Sequence, residues 1–299
     1  MTLPNFLIIG AAKSGTTAIY TYIKQHPQIF MSTPKELRFF SYSEPKSGDI
    51  NKNYVHQGVT SLEEYEQYFA DVTDEIIIGE ASPMYLYTPG TAEKINKIIP
   101  NVKMLAILRN PVDRAYSAYM HGIREWKEPS RTFKEALERE PQRIEAGWGM
   151  LWHYTKAGFY YEQLKRFYDV FDNRQIKVVL YDDLLKDSAK LLKDIFFFLD
   201  VDSDFQPDIS KRPNVSGIPK SSFLHKKMKQ IFQTKNPIRW LSRIIFPKDF
   251  REQTMIKLRE RNLEKKKIPK DIEFSLKELY KEDIKMLENL ISRDLTSWI

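Results

Sequence analysis

The stretch Phe6-Leu-Ile-Ile-Gly-Ala-Ala-Lys-Ser-Gly-Thr-Thr-Ala-Ile-Tyr20 constrains this chain more than any other. Phe6, Leu7, Ile8 and Ile9 make an unbroken apolar run, the pattern of a strand buried on both faces, and from Thr16 onward Ile19, Tyr22 and Ile23 recur at helical spacing. Gly10 and Gly15 bracket the turn between them. The first N–H groups of a helix have no intrahelical partner and lie at the positive end of its dipole, so a loop feeding a helix start can hold a phosphate without a metal ion. Lys13, Ser14, Thr16 and Thr17 crowd four polar side chains into that loop.

The spacing Gly10-x-x-x-x-Gly15 is that of the nucleotide P-loop, but Thr16 stands where the P-loop carries its lysine, and the lysine has moved forward to Lys13. A P-loop lysine serves a triphosphate whose Mg²⁺ is held by the next Ser or Thr. Lys13, on the bend, is placed for a group beyond the first phosphate, so the expected ligand is a nucleotide with a short 5′ chain, handled without obligatory Mg²⁺. A plain glycine-containing turn is the bland alternative.

Composition narrows the class. With 299 residues the chain can bury a sizeable core. No segment approaches the roughly 18 apolar residues that suggest a membrane span, and Met1-Thr-Leu-Pro-Asn-Phe6 lacks the basic start of a signal peptide. Zero Cys removes disulfides, thiolate metal sites and a thiol nucleophile, and the five scattered His form no ligand spacing, so no metal is expected. The expected location is cytoplasmic. Charge is uneven: in residues 220–267 fifteen Lys and Arg face four Asp and Glu, an excess of eleven positive charges within a chain of net charge +7. That segment is read as a helical lid or peripheral subregion, with a membrane-surface contact or a polyanion groove as alternatives.

Other candidates lie along the chain. After the first helix, residues 28–31 read as a short strand, followed by Lys35-Glu36-Leu-Arg38-Phe39-Phe40. A carboxylate beside aromatic rings is one that desolvation can tune toward general-base work, so Glu36 is a candidate base; a solvated Lys-Glu pair on a surface turn is the alternative. A second buried strand over 75–80 ends in Ala81-Ser82-Pro83-Met-Tyr85, and a third over 102–108 ends in Arg109-Asn-Pro-Val-Asp113, the opening of a helix that carries Ser117 two turns on. A guanidinium and a hydroxyl so placed can grip a phosphate from two sides. Residues 125–147 read as charged and helical, and Trp148, Trp152, His153 and Tyr154 as core aromatics or the floor of a sugar cleft. A fourth strand over 175–181 precedes Asp182-Asp183, read as a helix cap; a late basic loop carries Ser216, Gly217 and Lys220; and an amphipathic helix over 275–291 closes the chain.

Ile9-Gly-Ala-Ala-Lys13-Ser-Gly-Thr-Thr17 resembles the 5′-phosphosulfate loop of sulfotransferases that use 3′-phosphoadenosine 5′-phosphosulfate (PAPS), most closely the heparan-sulfate and other carbohydrate sulfotransferases and their bacterial relatives. Lys35-Glu36-Leu-Arg38-Phe39-Phe40 is similar to their Lys-Glu-x-His-Phe-Phe segment, with Arg38 in place of the frequent His, and Arg109, Pro111, Arg114 and Ser117 match their 3′-phosphate motif. The resemblance covers most of the chain and is strongest in residues 6–40 and 104–120.

It implies that Glu36 deprotonates a hydroxyl or amine acceptor, that Lys13 stabilises the leaving phosphate, and that Ser14, Gly15, Thr16 and Thr17 hold the 5′-phosphate. It further implies that Arg109 and Ser117 hold the 3′-phosphate, and that Ser216, Gly217 and Lys220 close over the cofactor. Arg38, Phe40, Ser82 and Tyr85 are expected on the acceptor side, although Ala81 stands where a lysine is often found.

The interleaved elements predict one α/β domain over residues 1–299, with a central, mainly parallel sheet flanked by helices. The implied partners are PAPS as donor, its bisphosphate PAP as product and a glycan acceptor, with no nucleic acid. A lipid, a small alcohol or a carrier-bound acyl chain is the alternative acceptor. A P-loop kinase and a non-catalytic polyanion-binding module are the rival functions.

Overall fold

Five parallel strands in the order β2-β3-β1-β4-β5 form the centre of the molecule, as seen in a computed structural model that describes residues 2–41, 58–210, 218–221, 263–264 and 267–299. The strands are β1 (Phe6–Gly10), β2 (Ile29–Met31), β3 (Ile77–Ala81), β4 (Lys103–Leu108) and β5 (Ile176–Leu180). A parallel sheet needs cover on both faces, and alternate residues supply it. Phe6, Ile8, Leu105 and Ile107 pack into one layer with α1 (Thr16–Ile23), α8 (Tyr181–Lys186) and α9 (Ser188–Phe198). Leu7, Ile9, Met104, Ala106 and Leu108 point the other way. There they meet α3 (Thr91–Ile98), α4 (Pro111–Arg124), α7 (Tyr160–Tyr168) and the closing helix α10 (Lys270–Ile291).

The chain leaves β1 toward β2 on one side of the sheet and leaves β4 toward β5 on the other. Loops that diverge from adjacent strands open a crevice at the carboxyl edge, the place where open α/β sheets take ligands. The turn after β1 and the tip of β4 therefore face one another by topology.

Most predicted elements stand within a residue or two of their expected ends. The capping is more local than expected: Asp183 accepts from the Leu180 N–H at 3.1 Å, and the residue that caps α9 is Asp187, accepting from Lys190 at 3.0 Å. Residues 125–147 form two short helices, α5 (Phe133–Glu138) and α6 (Glu140–Glu145), separated from α4 by the non-helical stretch containing Pro129. A short helix α2 (Leu62–Gln67) is capped by Ser61. Of the basic segment only 220–221, 263–264 and 267 are described; β6 (Ile218–Pro219) pairs antiparallel with β7 (Leu263–Glu264), and β6 packs on α4. Ser216 and Gly217, and most of the segment read as a helical lid, lie outside the described residues.

Candidate active site

The loop between β1 and α1 is shaped by close approach. Gly15 has φ of 96° and serves as the N-terminal boundary of α1, and a Cβ there would come within 2.9 Å of the Tyr181 ring. Only glycine meets both demands. Lys13, a non-glycine residue at φ 72°, bends the loop so that its carbonyl points toward β4. Among the described residues no side chain caps α1, which leaves its first N–H groups open toward the crevice. Ser14 Oγ, buried close to the Tyr160 hydroxyl, completes no hydrogen bond of ordinary geometry among the described residues.

Lys13 is in an expensive position. Burial is the chief reason that its ammonium is brought down to about 8, and the positive charges of Arg124 and Arg109 push the same way. A buried cation among other cations is a site that an anion relieves.

Arg109 occupies the tip of β4. Its Nη1 lies 3.5 Å from the Lys13 carbonyl, its guanidinium sits over the Tyr181 ring at 4.9 Å, and its Nε is buried without a hydrogen-bond partner among the described residues. Among the described residues its acidic partner is Asp113, at 3.8 Å and half exposed, too long for a firm hydrogen bond. The backbone under Arg109 is held from the opposite layer: Tyr160 donates its hydroxyl to the Arg109 carbonyl at 3.0 Å, and the N–H of Tyr160 is itself capped by Asp283 of α10 at 2.9 Å. Asn110 accepts from Val112, which starts α4 on schedule and leaves Ser117 buried two turns along. Arg114, by contrast, turns into the core and donates to the Tyr154 carbonyl.

Glu36 lies in the loop after β2, one third exposed, and its two oxygens are shared between neighbours. Arg38 donates to Oε2 through Nη2 at 2.8 Å and Nε at 3.2 Å, while Lys35 approaches Oε1 at 3.4 Å. Lys35 also reaches across to the start of α1, with Nζ 3.3 Å from Thr16 Oγ1 and 3.4 Å from Thr17 Oγ1. Burial lowers the affinity of this ammonium for its proton, with Glu36 opposing. One lysine therefore joins the carboxylate loop to the hydroxyls of the phosphate-type loop.

The candidates accordingly fall into groups. Lys13, Ser14, Gly15, Thr16, Thr17 and Arg109 come together at the carboxyl edge, with Glu36 tied to them through Lys35. Lys220 is exposed and follows β6, the strand that packs on the helix bearing Ser117. Three residues expected on the acceptor side face inward instead: Phe40 is 1 % exposed and Ser82 and Tyr85 are 0 % exposed. Their partners explain the burial. Glu80 at the end of β3, also fully buried, accepts from Tyr65 at 3.0 Å, from Ser82 at 2.6 Å and from Tyr85, and desolvation pushes its carboxyl up to about 7. Trp152 and Tyr154 are core residues, the latter bonded to Glu128, and His153 bonds to Tyr87, so this aromatic cluster packs as interior.

Lys35, Tyr181 and Glu80 were not among the sequence candidates. A lysine beside a glutamate reads as a solvated pair until the helix that it reaches is known. Among the described residues, no group of three or more His, Asp or Glu is arranged to hold a metal ion, and no helix is long and apolar enough to cross a membrane.

Residues 3–249 match the family described as the sulfotransferase domain. A solved sulfotransferase from Alicyclobacillus acidocaldarius superposes with a TM-score of 0.76 at 32% identity, covering 100% of this chain and 99% of that one. Two curated relatives are similar over shorter stretches. The human bifunctional heparan sulfate N-deacetylase/N-sulfotransferase 3 is 27% identical over 207 residues, 67% of this chain and 22% of that protein. The membrane-associated sulfotransferase kil1 of Dictyostelium discoideum is 30% identical over 151 residues, 48% of this chain and 30% of that protein. The chain thus matches less than a third of the length of either curated relative.

Proposed function

The chain belongs to the sulfotransferase-domain family, and from that premise we propose that it moves the sulfuryl group of PAPS to a carbohydrate hydroxyl or amine, with Glu36 as general base. The observation that carries this reading is the meeting of two anion-ready groups at one sheet edge. The loop from Lys13 to Thr17 offers open N–H groups and a buried Ser14 hydroxyl, and Arg109 offers beside it a buried Nε; neither side-chain atom completes a hydrogen bond of ordinary geometry among the described residues. A nucleotide with phosphate at both ends satisfies both, with the 5′-phosphosulfate on the loop and the 3′-phosphate on Arg109 and Ser117.

In this reading the bound donor supplies the sulfuryl group. Glu36 takes the proton from the acceptor oxygen or nitrogen as that atom bonds to sulfur, and the sulfur–oxygen bond to the 5′-phosphate breaks, so that PAP leaves with the electron pair. Lys13 neutralises the charge that develops on the departing oxygen. Lys35, already on Thr16 and Thr17, adds a second positive charge at the same end. The glycan acceptor is supported by the similarity to a heparan sulfate N-sulfotransferase and by Glu36 with Phe39 and Phe40 following it in that family's spacing.

Calorimetric titration with PAP tests the donor. One PAP is expected per chain, bound at least tenfold more tightly than ATP with Mg²⁺; equal or tighter binding of ATP would favour a kinase and end the reading. Steeply salt-dependent polyanion binding that survives loss of the 10–17 loop, with no PAP binding, would favour a non-catalytic module. Sulfate incorporation from labelled PAPS into de-sulfated heparan sulfate, set against a fatty alcohol, then decides the acceptor.

The lowered ammonium of Lys13 yields a second expectation. Above pH 8 this group is largely neutral in the free protein, and an anion beside it restores the charge, so PAP binding should take up a proton. Titration at pH 8.5 in buffers of different ionisation enthalpy should report roughly half to one proton absorbed. Lys13→Met should abolish that uptake; uptake unchanged in the variant would place the proton elsewhere.

A further inference from the structure

We infer that Glu80 is a positioning residue for the sulfuryl-transfer base, holding the Glu36 loop in register through two buried hydroxyls. This inference rests on the reading of Glu36 as base and adds to it the device that aims the carboxylate.

The geometry is a pair of relays. Glu80 lies on β3 with 0 % exposure. Ser82 donates to its Oε2 at 2.6 Å, and the same Ser82 Oγ accepts the backbone N–H of Arg38 at 2.9 Å. Tyr85 donates to Oε1, and its hydroxyl accepts the backbone N–H of Phe40 at 3.4 Å. A third hydroxyl, from Tyr65 of α2, donates to Oε1 at 3.0 Å. The loop is pinned on its other flank by Ala81, whose N–H donates to the Lys35 carbonyl at 3.2 Å. Backbone on both sides of Glu36 is therefore tied to the end of β3.

The polarity of these bonds explains why a carboxylate is needed. A hydroxyl aimed at an acceptor turns its lone pairs outward, and those lone pairs receive the amides of Arg38 and Phe40. Once ionised, above its titration at about 7, Glu80 only accepts and points both hydroxyl protons inward at once. Replacing it by an amide puts a donor on one arm, so the Ser82 or Tyr85 hydroxyl must turn its proton away and its bond to the loop amide is displaced from its present geometry. Burying a carboxylate among three hydroxyls is costly without such a purpose, and a phenylalanine or leucine would fill the space with less desolvation. Arg38 shows the constraint at its own backbone: with its N–H on Ser82 and its carbonyl accepting from Ser41 Oγ at 2.9 Å, it sits at φ 60°, in the left-handed region. That conformation turns its guanidinium back onto Glu36.

The test compares Glu80→Gln, Ser82→Ala and Glu36→Gln in the full chain. Glu80→Gln is expected to lower kcat 10- to 100-fold with the Kd for PAP, by calorimetry, and the KM for PAPS unchanged within twofold. Ser82→Ala, which cuts one relay and leaves the carboxylate, should lose kcat about tenfold with the same sparing of donor affinity. A structural role alone would move donor affinity and kcat together. Parental kcat in a Glu80→Gln protein that still binds PAP overturns the inference, and if that variant fails to fold, parental kcat in Ser82→Ala overturns it. The fate of the base reading is read separately. Loss in Glu36→Gln with none in the Glu80 and Ser82 variants sinks only the positioning role, whereas parental turnover in Glu36→Gln sinks both.

Discussion

Glu36→Gln is expected to lower kcat by about 10²–10⁴-fold, the usual cost of removing a positioned base, while PAP binds within about threefold of the parental affinity. The replacement keeps the length of the side chain and leaves Phe39, Phe40 and the inward relays in place. What it removes is the ability to hold a proton. Donor affinity is expected to survive because Glu36 carries negative charge and makes no contribution of its own to holding phosphate; the two cations it now engages, Lys35 and Arg38, become freer to meet the donor. Initial rates at saturating PAPS and acceptor provide the measurement, with Glu36→Asp as the companion. A shortened but still basic side chain should fall between the two. Turnover by Glu36→Gln at the parental rate would remove the base assignment.

Arg109→Ala should show the second large effect, in binding. Truncating one partner of a largely buried, hydrogen-bonded charge pair costs about 2–5 kcal/mol, so PAP and PAPS should weaken by about 30-fold or more. Adenosine 5′-phosphosulfate, which lacks the 3′-phosphate, should weaken less than about threefold. The contrast between ligands is the informative quantity. Arg109 also stacks on Tyr181 and approaches the Lys13 carbonyl, so a merely disordered loop would weaken all three ligands alike. Equal losses would therefore contradict the 3′-phosphate role.

The parts that could be read from the sequence are those whose signal is local. The run Phe6 to Ile9 is apolar without interruption because both faces of β1 are covered, and the glycines announce a turn because one of them must take a positive φ against the Tyr181 ring. Arg109 announced itself through the Asn110-Pro111 helix start that immediately follows it. The closing helix begins at Lys270, earlier than the apolar pattern suggested, because Pro269 precedes it and Asp271 and Glu273 suit its first turn although they contribute nothing to the core. Glu80 was illegible for the opposite reason. A glutamate at the end of a strand is exposed by default, and what keeps it inside is a set of hydroxyls from Tyr65, Ser82 and Tyr85 that only the folded chain assembles. Lys35 was illegible in the same way, since its second set of partners lies 18 and 19 residues earlier.

The docking of Lys35 onto Thr16 and Thr17 sets a rule for redesign. Grafting residues 32–41 from a related enzyme, to change what is modified, would carry over a base without its moorings, because the segment is bolted to the first helix by one ammonium and to the end of β3 by an amide. An exchange that preserves turnover has to move three pieces as one cassette: this segment, the two threonines and the strand end from Glu80 to Tyr85.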